Sequence, residues 1–526
     1  MDDLSSRQEH SGLAQALLSP SILTILGFAL TLIYLYREAY RTNFPKLANI
    51  PEVPGSLPFV GHLPSLGGRL KLNDASIFKI WTTQAKSDIV QVKLGDQRTI
   101  VLSTWAAMKS LWIDQNNAML DRVHQPGFVD NLGIDISGSP LTEQIRKCRN
   151  AALKALGKPM WPEYYRLMEP NSAALTRSLY KDGENGKISM DLYPLLRQGM
   201  VDLTLSLTYG VRVGEFDEEF TNALLDSIAT ISSIRSSTVS YKHYVPLLRI
   251  FPEKTSRTIK AVKERTERIN ILFETYLHKV EKGQADLKCI VSSLGNDKLT
   301  LEEIHGTCVS LLQAAPDTVA SAVYQCCAWL CSPEGLPFQK EAYDAILEAY
   351  DGDRDEAWRM AFREEKVPLI VSLYKETLRF YPTAPFGSRR TSKSFELNGT
   401  TIPKGMGVLM DTQGVNHDLD FYGSDAYSFN PRRFIGNDSP LPHLTYGTGG
   451  RICPAYQISN RVMSAMLVKL ILAFDMKPVA GGRLPSIARN DFSDAYGNVQ
   501  FSRTFDCSFT ARNESWLKGV IAAEKL

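Results

Sequence analysis

Between about residues 140 and 380 the apolar residues recur three and four positions apart almost without a break. The pattern runs through "RKCRNAALKALG", "DLYPLLRQGMVDLTLSLTYG", "RTERINILFETYLHKVEKG" and "EEIHGTCVSLLQAAPDTVASAVYQCCAWLC". Such spacing puts one apolar stripe on each helix and leaves no room for a large sheet, so it predicts a mainly α body. Strand signals are confined to the flanks. "DIVQVKLG" and "RTIVLST", with Gly95 and Asp96 between them, predict a hairpin, and "SFELNGTTIPKGMGVLMD" predicts short strands around an Asn-Gly turn. A last long helix is expected over 458–474, followed by a strand-like tail, "NVQFSRTFDCSFTAR".

A chain of 526 residues has room for two or three average domains, or for one large enzyme domain. No internal repeat or low-complexity tract divides it. The formal net charge of +2 argues against bulk nucleic-acid binding, which calls for a basic excess. Eight scattered cysteines make no disulfide framework, and "CCAWLC", which lacks a neighbouring histidine or acid, reads as core thiols. The N-terminus differs from the rest. Residues 11–36 carry no charge and contain "SILTILGFALTLIYLY", long enough for the ~20 residues of a spanning helix. A cleaved signal peptide is the other reading; acids upstream and the lack of a small-residue cleavage site oppose it. Arg37, Arg41 and Lys46 follow, and Tyr34 and Tyr36 sit at interfacial positions, so the expectation is a single-pass anchor with the body in the cytosol. The expected organisation is a lumenal tail 1–12, an anchor 13–36, a proline-rich hinge 37–63 and a catalytic domain 64–526.

Two stretches carry chemistry. "LTYGTGGRICPAYQISNRVMSAMLVKLILAF" sets Cys453 in a glycine-rich turn ahead of an apolar helix, whose N-terminal amides favour an anionic sulfur. Gly447, Gly449 and Gly450 allow close approach to something flat, and Arg451 offers a cation to an anionic group. A haem with a thiolate ligand fits all of this; a buried cysteine in an ordinary turn remains the competing reading of the residues alone. The second stretch, "LLQAAPDTVASAV", places Pro316, Asp317 and Thr318 inside a helix, where a proline costs ~3 kcal/mol and an acid on an apolar face must be desolvated.

"YGTGGRICPA" resembles the cysteine loop of the cytochrome P450 haem-thiolate monooxygenases, with Tyr446 where the family has phenylalanine and Ala455 where it has glycine. Three further motifs stand in the family's order: "KETLRF", "FNPRRF" and "PTAPFGSRRTSKSFELNGTTIPKGMGV". The resemblance covers essentially the whole chain. It implies the cytochrome P450 fold, an α-rich haem domain with small β-sheets plus an N-terminal transmembrane helix. It implies that Cys453 ligates the iron of haem b, with Tyr446, Gly447 and Arg451 at the cofactor. Glu376, Arg379 and Arg433 would form a structural ion-pair network. Arg389, favoured over Arg390 by its distance from Gly399, would meet one haem propionate. Arg146 and Arg149 are candidates for the other, with a solvated helix face as the alternative; Leu141 stands where related enzymes carry tryptophan.

"AAPDT" is similar to the family's proton-delivery segment, which makes Asp317 the relay from solvent and Thr318 the hydroxyl beside dioxygen. Ala315 replaces a usual glycine and Val319 a usual hydroxyl residue. A widened turn at Pro316 is expected, with the Leu312 carbonyl open to water or to Thr318. The implied reaction inserts one oxygen atom from O2 into a small organic substrate. Electrons would come from NADPH through a separate membrane-bound NADPH–cytochrome P450 reductase, docking near Arg146, Lys147, Arg432 and Arg451, with the chain in the endoplasmic reticulum membrane. Alternatives are a haem-thiolate isomerase or dehydratase that needs no O2, and a non-catalytic haem protein. Pocket-lining candidates are 124–129, 228–239, Leu311, Ala314, 385–388 and Phe505. Their mix of apolar and hydroxyl residues suits aromatic-acid hydroxylation or tailoring of an amino-acid-derived secondary metabolite. The sequons at Asn398 and Asn513 carry no weight in a cytosolic domain, and His62 and His417 need no ligand role.

Overall fold

Thr300 opens the longest helix. Its hydroxyl accepts from the Glu303 amide at 3.2 Å while Glu303 Oε2 accepts from the Thr300 amide at 2.9 Å, so each end of the first turn satisfies the other. The helix then runs unbroken through Pro316 to Leu330, thirty residues. The expected widened turn at the proline is absent: the helix stays α throughout, and only the Leu312 carbonyl loses its intrahelical donor.

The computed structural model describes residues 20–67, 72–122, 133–234, 241–250, 255–283, 288–436, 442–489, 491 and 499–523. Its longer helices are α1 (Pro20–Tyr40), α2 (Asp74–Gln84), α3 (Glu143–Ala155), α4 (Trp161–Asp182), α5 (Leu192–Tyr209), α6 (Glu218–Ile234), α7 (Thr255–Glu281), α8 (Leu301–Leu330), α9 (Gly335–Ala349), α10 (Pro368–Phe380) and α11 (Tyr456–Ala473). Helix α8 is the axis of the body: α5, α10 and α11 pack on it, and their apolar faces form one continuous core with Val323, Leu373 and Leu467 inside.

Strands β1 (Ile89–Leu94) and β2 (Gln97–Leu102) form the hairpin around Gly95, which adopts φ +59. β3 (Gly387–Arg390) and β6 (Gly407–Met410) join it in a four-stranded sheet of order β1-β2-β6-β3, in which β2 and β6 run parallel. β4 (Phe395–Leu397) and β5 (Thr400–Ile402) pair across Asn398 and Gly399, both at positive φ, as an Asn-Gly turn requires. β7 (Phe474–Pro478) pairs with β8 (Cys507–Ala511), the only strand in the described part of the expected tail.

The N-terminal expectations need correction. Residues 1–19 lie outside the described residues, and with them the tail 1–12 and the first part of the anchor 13–36. Helix α1 does not stop at Tyr36 but continues through Arg37 and Glu38. Among the described residues no helix is long and apolar enough to cross a membrane. The apolar side chains of α1 are nonetheless uncovered, with Phe28 at 66% and Ile33 at 62% exposure. Nor does 37–63 behave as a spacer. Val53 N donates to Gln91 O at 3.1 Å and Gln91 N to Pro51 O at 2.9 Å, while the buried Gln91 amide holds Leu47 from both sides. Prolines remove donors but leave carbonyls, and β1 uses them.

Candidate active site

The central helix is sealed into the core over 307–312 and again over 319–330. Between these runs only Pro316 is buried: Ala314 is exposed and Gln313, Ala315, Asp317 and Thr318 are half-buried. Small and polar residues thus line a window in an otherwise closed helix. Thr318 Oγ1 donates to Ala314 O at 2.8 Å, and lies 3.3 Å from Ala315 O; it does not use the Leu312 carbonyl, because an i−4 bond is within reach of its own rotamer. Asp317 Oδ1 accepts from Arg197 Nε at 2.7 Å. Arg197 belongs to α5, and its side chain is 28% exposed, so it links the carboxylate toward solvent. No local pattern in the sequence pairs these two residues, 120 positions apart.

Cys453 sits in a turn closed by its own amide, which donates to Tyr446 O at 2.9 Å. Helix α11 starts at Tyr456, three residues after Cys453 and two before the expected start at 458. Burial pushes the Cys453 thiol up; the Ala455 amide and the Arg149 charge oppose this. Desolvation thus works against the thiolate that helix polarity favours. An iron cation would supply the missing charge. Tyr446 donates its phenol to Asn460 Oδ1 at 2.7 Å, which ties the turn to α11. Gly449, at φ +67, leaves no room for a Cβ, which would meet Asn116 Oδ1; the same oxygen accepts from Gly450 N at 2.9 Å. Asn116, unremarkable in sequence, is the outer brace of the cysteine turn.

Four arginines from four segments converge beside it. Arg149 is buried, donating to Ile136 O and Ile452 O at 2.9 Å each, so it clamps the turn to the segment before α3. Arg451 is buried and donates to Ser139 O at 2.8 Å, but its Nε and Nη1 have no partner. Arg389 is buried with Nη1 unpartnered. Arg122 Nη1 donates to Ser388 O at 2.6 Å. Burial, then Arg122 and Arg149, push the Arg451 guanidinium down to about 9, with Asp121 and Asp135 opposing. Burial, then Arg122, Arg451 and Arg149, push Arg389 well below its ordinary value. Cations crowded this way with unmet donors fit a bound polyanion, as the two carboxylates of haem are. Gly447, at φ +68, leaves Arg389 Nη2 clear by 3.9 Å from a Cβ built there. Arg146 is not part of this cluster; it lies on the exposed face of α3. Leu141 is half-buried against the main core.

Glu376, Arg379 and Arg433 meet in the core. Arg379 Nε and Nη2 bind the two Glu376 oxygens at 2.7 Å each, with both side chains fully buried. Arg433 Nε adds 3.1 Å to Glu376 Oε2, and its Nη1 pairs with Asp425 at 2.9 Å. Asn430 N donates to Glu376 Oε1 at 2.8 Å. The path to the cysteine turn runs through a residue with no sequence signal, Asn416. Its carbonyl accepts from Arg379 Nη1 at 2.8 Å, its Oδ1 accepts from Leu444 N at 2.8 Å, and its Nδ2 donates to Thr445 Oγ1 at 3.3 Å.

Other expected positions fall elsewhere. Phe505 is fully buried against Tyr324, rings 4.7 Å apart, and is core rather than pocket lining. Leu311 is also buried. Residues 124–129 lie outside the described residues, as do 235–240 and most side chains of 228–239. Arg451 is too buried to meet a partner protein, Lys147 pairs with Glu303 at 2.8 Å, and Arg432 pairs with Glu341. His62 bridges Lys93 O and Val53 O, a core histidine. Among the described residues no cluster of three or more His, Cys, Asp or Glu could hold a bare metal ion.

Comparison with known proteins meets this geometry. Residues 51–498 match the family model described as Cytochrome P450. The chain is 31% identical to phenylacetate 2-hydroxylase of Emericella nidulans over 472 residues, 87% of this chain and 89% of that protein. It is 28% identical to 3-hydroxyphenylacetate 6-hydroxylase of the same organism, covering 94% of each. A solved zebrafish cytochrome P450, described with abiraterone, superposes at TM-score 0.66 and 16% identity, covering 84% of this chain and 100% of that one.

Proposed function

The chain belongs to the cytochrome P450 family and is a haem-thiolate monooxygenase; from that premise we propose that it hydroxylates a small aromatic acid, with Asp317 and Thr318 delivering the protons. The observation that carries the proposal is the window at 313–318, where Asp317, paired with Arg197, adjoins the Thr318 hydroxyl. An isomerase or dehydratase that uses no O2 has no need of a solvent-linked acid at this point.

Cys453 would hold the iron, and Arg389, Arg451 and Arg122 would hold the carboxylates. Arg149 acts differently: its two backbone bonds orient the turn that carries Cys453. Haem, when bound, supplies one-electron and O2 chemistry that no side chain can. The protein's own part is proton handling and exclusion of water. Asp317 Oδ1 releases Arg197 Nε, takes a proton from the solvent side and turns toward Thr318. Thr318 Oγ1 can give up its bond to Ala314 O and would then offer its hydroxyl as the donor that hands the proton on once haem and O2 are bound. Buried Pro316 has no N–H, so the Leu312 carbonyl beside the window is left without its intrahelical donor.

Electrons come from NADPH through a separate cytochrome P450 reductase that docks on the cysteine side, where Arg146, Lys147 and Arg432 are the exposed cations of the expected set. The chain sits in the endoplasmic reticulum membrane through α1 and the residues before it; the uncovered Phe28, Leu30 and Ile33, with Arg37 and Arg41 following, support that placement. An aromatic-acid substrate is supported by the names of the two Emericella relatives. The test is a screen of phenylacetate, its ring-hydroxylated forms and, as controls, cyclic dipeptides. Expected are a substrate-induced Soret shift with an arylacetate and NADPH- and O2-dependent formation of a hydroxylated product. A shift with cyclic dipeptides alone would refute the substrate class, and turnover without O2 would refute the reaction.

A further inference from the structure

Trp112 has no place in the machinery described so far, yet it stands within it. It lies on a short π-turn, Lys109–Ile113, and is 3% exposed. Its indole Nε1–H is buried with no acceptor among the described residues. Buried tryptophans normally find a partner for that group, so the omission asks for an explanation. The ring is held firmly. A Cβ built on Gly387 would stand 3.0 Å from its Cη2 and 3.5 Å from its Cζ3, so glycine there is what admits the ring's benzo edge. The Arg389 guanidinium stacks over the ring, 4.7 Å from its centroid. The Trp112 carbonyl lies 3.7 Å from a Cβ built on Gly449, and Asn116, four residues on, binds Gly450 N. Trp112 therefore reaches β3 with its ring and the cysteine turn with its backbone.

We propose that Trp112 is a cofactor-positioning residue whose Nε1–H donates to a haem carboxylate. The stacked Arg389 would give the same group its unpartnered Nη1–H. Two unmet buried donors on groups in van der Waals contact call for one acceptor, and the neighbouring unpartnered Nε and Nη1 of Arg451 make an anionic acceptor the fitting one. The ring also spreads the Arg389 charge over a π face where no carboxylate pairs with it, which keeps the arginine in place before the cofactor arrives.

This inference rests on the haem-thiolate reading, and the two fail differently. The full chain is first reduced under carbon monoxide; absence of the thiolate-type Soret band in the wild type would sink the haem-thiolate reading itself. With that band present, Trp112→Phe keeps a ring for Arg389 to pack on and removes the donor together with part of the ring's packing area. Expected are haem transfer to excess apomyoglobin faster by about tenfold, the effect of one charge-assisted hydrogen bond, and a shifted propionate bending band in the resonance Raman spectrum. Lost packing alone would speed transfer without moving that band, so an unmoved band overturns the proposal whatever the rate. If the phenylalanine variant does not accumulate, Trp112→His, which restores a ring N–H, is measured in its place. Recovery of haem-loaded protein supports the donor role, and failure to recover it overturns the role.

Discussion

Replacing Asn416 with alanine tests whether the buried ion-pair network acts on the cysteine turn. Asn416 is fully buried, and its backbone carbonyl, which receives Arg379, survives the change. Two side-chain bonds do not. The Leu444 amide loses its acceptor at 2.8 Å and stays buried, which costs about 1–3 kcal/mol for an unsatisfied donor. The longer bond to Thr445 Oγ1, 3.3 Å, contributes about 0.5–1 kcal/mol. The sum, ~1.5–4 kcal/mol, raises the opening equilibrium of the turn about 10- to 900-fold at 1.36 kcal/mol per decade. Since the lost bonds lie between the network and residues 444–446, the opening should be local. Urea titration followed by the thiolate-type Soret band should show an earlier midpoint in Asn416→Ala, while far-ultraviolet circular dichroism moves much less. Equal displacement of both signals would mean that Asn416 supports the whole fold. No displacement of either would refute the reasoning outright.

Asp317→Asn should leave the Soret band intact and lower product formation by about 10²–10⁴-fold, the range for a positioned proton donor; unchanged turnover would remove Asp317 from proton delivery. Pro316→Gly gives the Leu312 carbonyl a donor again, and the share of NADPH lost as peroxide should rise with haem content unchanged. Equal coupling would show that the proline is merely tolerated. Asp411 is fully buried, one oxygen accepting from Gly414 N at 2.6 Å and the other unpartnered, and burial pushes its carboxyl up to about 7 from an ordinary 3.8. The folded form thus holds its proton more tightly. Its contribution is fully present below pH ~4 and is lost as pH rises through about 7, on the order of 4 kcal/mol in all. Asp411→Asn should therefore gain stability relative to wild type between pH 5 and pH 8, read from urea midpoints; a gap constant with pH would contradict that assignment.

Much of this protein is decided by interactions a few residues long, and those are legible in sequence. A Thr-x-x-Glu cap and a 3.6-residue apolar period determine α8; an Asn-Gly pair determines the β4–β5 turn; a glutamate three residues before an arginine determines that Glu376 and Arg379 share a helix face. The cysteine turn is likewise local, closed by a bond from residue 453 to residue 446. Where the outcome depended on summed surroundings, the sequence alone misled. Helix polarity favours a Cys453 thiolate, whereas desolvation of the half-buried sulfur pushes the thiol up. Prolines suggested a semi-rigid hinge over 37–63, but β1 pairs with it, using the Pro51 carbonyl.

What only the tertiary structure decided is convergence. Arg122, Arg149, Arg389 and Arg451 belong to separate segments, and no spacing rule brings them to one place. The same holds for Arg197 with Asp317, for Asn416 between the network and the turn, and for Trp112 under Arg389. Each meeting depends on how α3, α5, β3 and the cysteine turn dock around α8. Packing, not periodicity, sets that geometry, because the partners of a buried polar group are fixed by whatever else the core has left unpaired.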